Sequence, residues 1–186
     1  MDSSLSSLLE KAVRNGQLLS SSLENIRLLL AGAQGDTAPR AVDELARQGA
    51  WQELNDRFYK TLNFGTGGLR GRTIGSIVTA AEQGAGGPNG RPEHPAVGTA
   101  CMNHFNVGRA MRGLIIYMRR FLTEAGIGRR PLIAIGHDTR HFSRDFAEFC
   151  ARIATDLGCD TALFDGPCST PEVSFAIREL TPTPAW

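Results

Sequence analysis

Asn63-Phe64-Gly65-Thr66-Gly67-Gly68-Leu69-Arg70-Gly71 is the stretch of this chain whose residue types most directly imply chemistry. Its four glycines argue against helix or ordinary strand. Glycine also lets backbone N–H groups come close to a ligand, and an arginine on such a loop presents a planar fork of donors matched to phosphate oxygens. The physical reading is a loop that grips a phosphorylated small molecule. Two other phosphate motifs fail here. The run is not G-x-G-x-x-G, because Arg70 holds the last glycine position, and it lacks the Gly-Lys-Ser/Thr of a P-loop. The competing reading is a plain turn whose arginine is solvated.

A second constellation is Gly136-His137-Asp138-Thr139-Arg140-His141-Phe142-Ser143. It follows the apolar run Leu132–Ile135, at the carboxyl end of a strand, where open α/β sheets place ligands. Asp138 and Arg140 either support a phosphate site or form a local pair that fixes a turn and caps the next helix; both can hold. His137 and His141 stand four apart, which raises zinc. The glutamate of H-E-x-x-H is missing, Arg140 lies between the two, and no third ligand is evident, so no metal site is assigned.

The wording of these stretches resembles the α-D-phosphohexomutases, the phosphoglucomutase/phosphomannomutase family. Phe64–Gly71 is similar to the family's entry motif, Asn106–Leu122 to its first long helix, and Gly136–Ser143 to its Gly-x-Asp-x-Arg-x-x-Ser segment. Ser169-Thr170-Pro171 and Val173-Ser174-Phe175-Ala176 are similar to the approach to its phosphoserine loop. The resemblance runs from about Trp51 to Leu180 and implies an enzyme moving phosphate between C1 and C6 of a hexose. It would do so through a phosphoserine and a hexose 1,6-bisphosphate, with Mg2+ assisting. It assigns Arg70 to the substrate phosphate, gives Thr66, Gly67 and Gly68 the shaping of the loop and its backbone donors, and makes Asp138 and Arg140 supports.

The resemblance also places a Thr-Ala-Ser-His-Asn-Pro nucleophile loop just beyond Trp186. The chain instead closes with Thr181-Pro182-Thr183-Pro184-Ala185-Trp186, and it contains neither Ser-His-Asn nor Asp-Gly-Asp. Two prolines in that tail continue neither a helix nor a central strand, so the expectation is a shortened or frame-shifted domain I, inactive alone. A non-catalytic phosphate-binding or interaction module is the alternative. A gene fragment without function is the third reading, and the one this ending favours.

The elements that must position these residues follow from composition and periodicity. The chain has 186 residues, 41% of them hydrophobic, and a formal net charge of +1. That is enough apolar content for a core, and no basic run marks nucleic acid or an anionic membrane. Four cysteines without a C-x-x-C pair, and no leader pattern, predict reduced thiols in a cytoplasmic protein. Residues 1–50 read as a helical N-terminal arm and residues 51–186 as a partial domain I. Ser21-Ser22-Leu23-Glu24 reads as a capping box and Thr37 as a second cap. Trp51, Leu54 and Phe58 share one helical face.

Ile74, Ile77 and Val78 predict a short strand, and Gly84–Gly98 a flexible surface excursion leaving His94 and His104 exposed. A helix from Asn106 is expected to bury Ala110, Leu114, Tyr117 and Phe121. Pro131–Gly136 and Cys159–Phe164 read as strands, the first buried on both faces. Helices capped by Ser143 and Thr170 follow them, with Phe146, Phe149, Cys150, Ile153 and Leu157 inward in one and Val173, Ile177 and Leu180 in the other. The fold class is α/β: a layered α/β/α domain with a mainly parallel sheet, incomplete at its C-terminal end. Self-association through that open edge is expected.

Overall fold

A computed structural model describes residues 2–65 and 68–180, which leaves Thr66, Gly67 and the 181–186 tail outside the described residues. The chain divides into two compact units, residues 1–106 and 107–186.

In the first unit, helices α1 (Ser3–Arg14), α2 (Ser20–Gly32), α3 (Thr37–Arg47) and α4 (Trp51–Phe58) bury one continuous core. Leu9, Ile26, Val42, Leu54 and Phe58 have no exposed surface in it. The helical N-terminal region is therefore present, and α4 turns Leu54 and Phe58 inward as their spacing predicts. The capping boxes are not where the sequence places them. Neither α2 nor α3 has a side-chain cap. Ser22 is buried and donates to Oδ1 of Asn55 at 3.0 Å, and the N–H of Leu19 donates to the same oxygen at 2.9 Å. An amide from α4 thus takes the N–H of the N-cap residue Leu19, the part a capping box gives to its glutamate. The actual capping box is Thr79-Ala80-Ala81-Glu82, opening the one-turn α5 (Ala80–Gln83).

Two expectations for the segment after the glycine loop are corrected. Ile74–Val78 is not a strand, because its backbone is committed to side chains. The carbonyl of Ile77 accepts from Arg57, and the N–H of Ser76 donates to Glu53. Gly84–Gly98 is not a loose excursion either. The N–H groups of Glu93 and His94 donate to the carbonyls of Gln83 and Glu82, and that of Ala96 donates to Thr73. Pro95–Thr99 is buried, and His94 and His104 are half-buried. Here glycine and proline mark tight turning under dense hydrogen bonding, which composition alone cannot distinguish from slack.

The helix α6 (His104–Glu124) begins at Asn103, whose Oδ1 accepts the N–H of Asn106 at 3.1 Å. Within the second unit it buries Met111 and Ile115 against Ile133, Ile153, Ala154 and Cys159. The stripe expected inside is outside: Ala110 is exposed, and Leu114, Tyr117 and Phe121 are 45%, 66% and 53% exposed. Both stripes are apolar, so periodicity cannot choose between them. Gly108 does. A Cβ there would stand 3.1 Å from the Phe149 ring, so its absence lets the helix approach closely on the face shared with Met111, Ile115 and Met118.

Strands β1 (Leu132–Ile135) and β2 (Asp160–Leu163) pair in parallel, with Ile133 opposite Thr161 and Ala134 opposite Ala162. They flank α7 (Ser143–Asp156), which contacts both strands and turns Phe146, Ala147, Ile153 and Ala154 inward. This strand–helix–strand unit is the α/β arrangement the alternating pattern predicts. Only Ile133 of β1 is fully buried; its neighbours are half-covered. The final helix α8 (Thr170–Leu180) buries no residue completely, and Ile177 and Leu180 are exposed rather than inward. Its cap is Ser169, not Thr170: Glu172 accepts the Ser169 N–H, and the Ser169 hydroxyl accepts the Glu172 N–H. Ser143 likewise stands inside α7, and the residue at the cap is Phe142.

The choice of stripe on α6 is testable. Ile115→Ala should cost about 2–5 kcal/mol in chemical denaturation, whereas Tyr117→Ala should stay within about 0.5 kcal/mol of the parent. Equal losses would mean that the exposed stripe carries core packing.

Candidate functional site

The glycine loop is closed at its neck. Gly65 and Gly68 exchange backbone hydrogen bonds of 3.1 and 3.2 Å; Thr66 and Gly67, which the sequence assigns to this loop, lie outside the described residues. Arg70 is exposed just beyond that neck. The loop's flanks are pinned to the segment before α6. The N–H of Leu62 donates to the Thr99 carbonyl at 2.8 Å, and the N–H of Met102 donates to that of Arg72 at 2.8 Å. Gly71 lies flat on this segment: a Cβ would fall 2.8 Å from the Ala100 carbonyl oxygen and 3.0 Å from the Met102 nitrogen. The receiving segment is held by the Asn106 amide, which donates to the carbonyls of Gly98, Thr99 and Cys101.

Joined to the loop's C-terminal flank through Arg72 is a group of charges that sequence reasoning missed. The Arg57 side chain is fully buried and donates Nε to Glu53 at 2.7 Å. Its two terminal nitrogens donate to both carboxylate oxygens of Glu82 and to the carbonyls of Ile77 and Val97. Glu53 reaches on to Nη2 of Arg72 at 3.5 Å, and Arg72 donates from Nη1 to the Ser76 hydroxyl at 2.7 Å. Two carboxylates and two guanidinium groups cancel formally.

Burial alone would raise the pKa of Glu53. The hydrogen bond and charge of Arg57, then the charge of Arg72, outweigh it and hold the carboxyl below its ordinary value. Burial likewise acts to lower Arg57, and Glu82 and Glu53 more than reverse it. Removing the guanidinium would leave two buried carboxylates uncompensated, a loss of about 3–5 kcal/mol. A signal was available in the sequence: Glu53 and Arg57 stand at i,i+4, and Thr79-x-x-Glu82 is a capping-box pattern.

In the second unit the structure brings Asp138 and Arg140 together. Arg140 donates Nη2 at 2.7 Å and Nε at 2.8 Å to Oδ2 of Asp138, and its N–H donates to Oδ1 at 3.0 Å. The N–H of Asp138 donates to the Ser143 hydroxyl at 3.0 Å, which ties the loop to the start of α7. The local pair is therefore present, but it does not cap the next helix, since no side chain caps α7. The Arg140 side chain is 86% exposed, so its outer face meets solvent. Phe142 sits in the left-handed region (φ +67) yet is only 2% exposed, a conformation costly for a bulky side chain and maintained here by its burial. His137 is buried and His141 exposed. Among the described residues no three His, Cys, Asp or Glu side chains gather to hold a metal. Cys101 and Cys150 are pushed up to about 11 by burial, so neither is poised as a nucleophile.

Arg70 and Gly68 lie in the first unit, and Asp138 and Arg140 in the second. Residues 94–185 match phosphoglucomutase/phosphomannomutase, α/β/α domain I. The chain is 30% identical over 79% of its length to a probable phosphoribomutase of Schizosaccharomyces pombe, of which it covers 21%. It is 28% identical over 69% of its length to a phosphoglucomutase of Staphylococcus epidermidis (18% of that protein) and 28% over 76% to one of Staphylococcus aureus (21%). The yeast alignment spans 147 residues, so it necessarily includes both the glycine loop and the Asp138–Arg140 loop. No solved structure matches the chain significantly. The chain belongs to the α-D-phosphohexomutase family and carries its domain I across residues 94–185. It spans about one fifth of the length of the curated relatives it matches.

Asp138 gives a pH prediction. Its pKa falls from 3.8 to about 2, first through the Arg140 hydrogen bond. A carboxylate with a depressed folded pKa contributes stability that is present above its unfolded pKa. That contribution is lost as pH falls through the folded value, here between about 4 and 2. Carbon-detected NMR titration should place Asp138 near 2 and move it back toward 3.8 in Arg140→Ala. An unchanged titration in the variant would contradict the pairing.

Proposed function

We propose that this chain supplies the phosphate-gripping loop of a phosphohexomutase, an isomerase that moves a phosphoryl group between C1 and C6 of a hexose phosphate. The observation that carries the reading is a glycine loop closed at Gly65–Gly68, pinned on both flanks and followed at once by the exposed Arg70. A phosphoryl group in transfer needs mainly positioning and neutralisation of charge. Arg70 would supply a bidentate cation; the N–H groups of Gly65 and Gly68 are spent on closing the loop, so any further backbone donors would come from its other residues.

The Asp138–Arg140 loop plays a supporting part in this reading. Asp138 holds the arginine at two nitrogens, so Arg140 presents its charge from a fixed place. A hexose 1,6-bisphosphate is the intermediate the family reading calls for, and a cytoplasmic setting agrees with the four free cysteines. The magnesium of the same reading finds no fitting donor set among the described residues, and no step is assigned through it. Self-association through an edge of the two-stranded sheet belongs to the proposal as well, favoured by the exposed Phe175, Ile177 and Leu180 of α8.

The 186 residues contain no Ser-His-Asn nucleophile sequence, so a coupled assay of this polypeptide with glucose 1-phosphate and its 1,6-bisphosphate should show background only. Binding is separable from turnover. Calorimetry should detect glucose 1-phosphate, with Arg70→Lys losing roughly 1–2 kcal/mol because a point charge replaces the fork. Turnover that vanished in Arg70→Ala would sink the first expectation, and equal affinity of Arg70→Lys and the parent would sink the second.

A further inference from the structure

The chain of charges runs from Glu82, 2% exposed, through Arg57 and Glu53 to Arg72, whose side chain is 37% exposed. It surfaces two residues from Arg70. Nothing about burial requires the last member: Arg72 lies at the margin, where a lysine or a neutral residue could be solvated. Its guanidinium is nonetheless held at two points, Glu53 on one nitrogen and Ser76 on the other, and its carbonyl takes the Met102 N–H. The preceding Gly71 is pressed against the Ala100–Met102 backbone with no room for a Cβ. Residues 71 and 72 are therefore fixed by main chain and side chain together, and the Cα of Arg70 is one peptide away from that fixed point.

We propose that Arg72 is a positioning residue for the phosphate loop: held by Glu53 and Ser76, it fixes where the Arg70 side chain begins and so aims that guanidinium at the phosphoryl group. This rests on the phosphate-binding reading of Arg70. The physical reason is directional. A bidentate contact tolerates little misplacement, so an arginine on a glycine-rich loop gains from an anchor immediately after it. Glycines ahead of Arg70 let the backbone near the ligand; the Gly71–Arg72 anchor removes the slack those glycines introduce. Glu53 and Arg57 enter as the fixed support, tied into the fold through Ile77, Val97 and α5.

The test is titration of the 186-residue chain with glucose 1-phosphate, comparing the parent, Arg70→Ala, Arg72→Lys and Ser76→Ala. Circular dichroism at the titration temperature verifies folding. Arg72→Lys keeps the charge and loses the two-point hold, so long-range electrostatics stay constant while geometry relaxes. The expected result is a threefold to tenfold (about 0.6–1.4 kcal/mol) weaker affinity for Arg72→Lys and a smaller loss for Ser76→Ala, with thermal midpoints within a few degrees of the parent. Arg72→Lys binding like the parent while Arg70→Ala has lost affinity would overturn the positioning role and leave the Arg70 reading intact. A lowered thermal midpoint with unchanged affinity would also overturn it, since that marks a merely structural residue. Failure of the parent itself to bind would overturn both.

Discussion

Arg57 uses every N–H of its guanidinium inside the first unit. Glu53 takes one and Glu82 two, and the carbonyls of Ile77 and Val97 take the others. Segments 73–82 and 96–101 have no strand ladder among the described residues to satisfy their polar groups. They converge instead on this one cation and its two carboxylates. A Cβ at Gly75 would fall 2.0 Å from Nη2 of Arg57, so the backbone closes directly onto the charge. A buried ion group is poor evidence for stability, since desolvation consumes most of the Coulombic gain. It is good evidence for a specified geometry, because few arrangements satisfy all the donors at once. In this protein the specified geometry is that of the segments to which the glycine loop's flanks are pinned.

That dependence orders the rest. Helix α4 carries Glu53 and Arg57 on one side while Leu54 and Phe58 bind it into the helical core. The helices before the loop thus give the segments that pin it a rigid base. In the second unit the corresponding job falls to β1 and α7. The strand ends at Ile135, Ser143 ties the loop back, and Asp138 fixes Arg140. Both units set an arginine on a short loop whose ends are held by backbone and carboxylate hydrogen bonds.

The legible parts of the sequence were those written in local chemistry. The glycine loop, the Asp138–Arg140 pair, the parallel β1–α7–β2 unit and the inward face of α7 all follow from residue type and spacing. The illegible parts depended on partners distant in sequence. Ile74–Val78 has strand-like letters, but its backbone is claimed by Arg57 and Glu53 from another element. On α6 two apolar stripes compete, and the close contact at Gly108 with Phe149 decides between them. The expected box at Ser21 is absent because α2 starts earlier, with Leu19 at its cap and the Leu19 N–H taken by Asn55, thirty-odd residues away in sequence. The buried ion group was half legible, since each short pattern was visible and their meeting was not.

The central claim is that a buried charge network holds a glycine loop ready for a phosphoryl group. Amide-resolved NMR of the 186-residue chain during titration with glucose 1-phosphate tests it most directly. The account predicts saturable shifts centred on Gly65, Gly68, Leu69 and Gly71, with the amides of Ser76, Thr79 and Val97 unmoved because their carboxylate partners stay in place. Shifts absent from the loop, or spread evenly through Ser76, Thr79 and Val97, would contradict it.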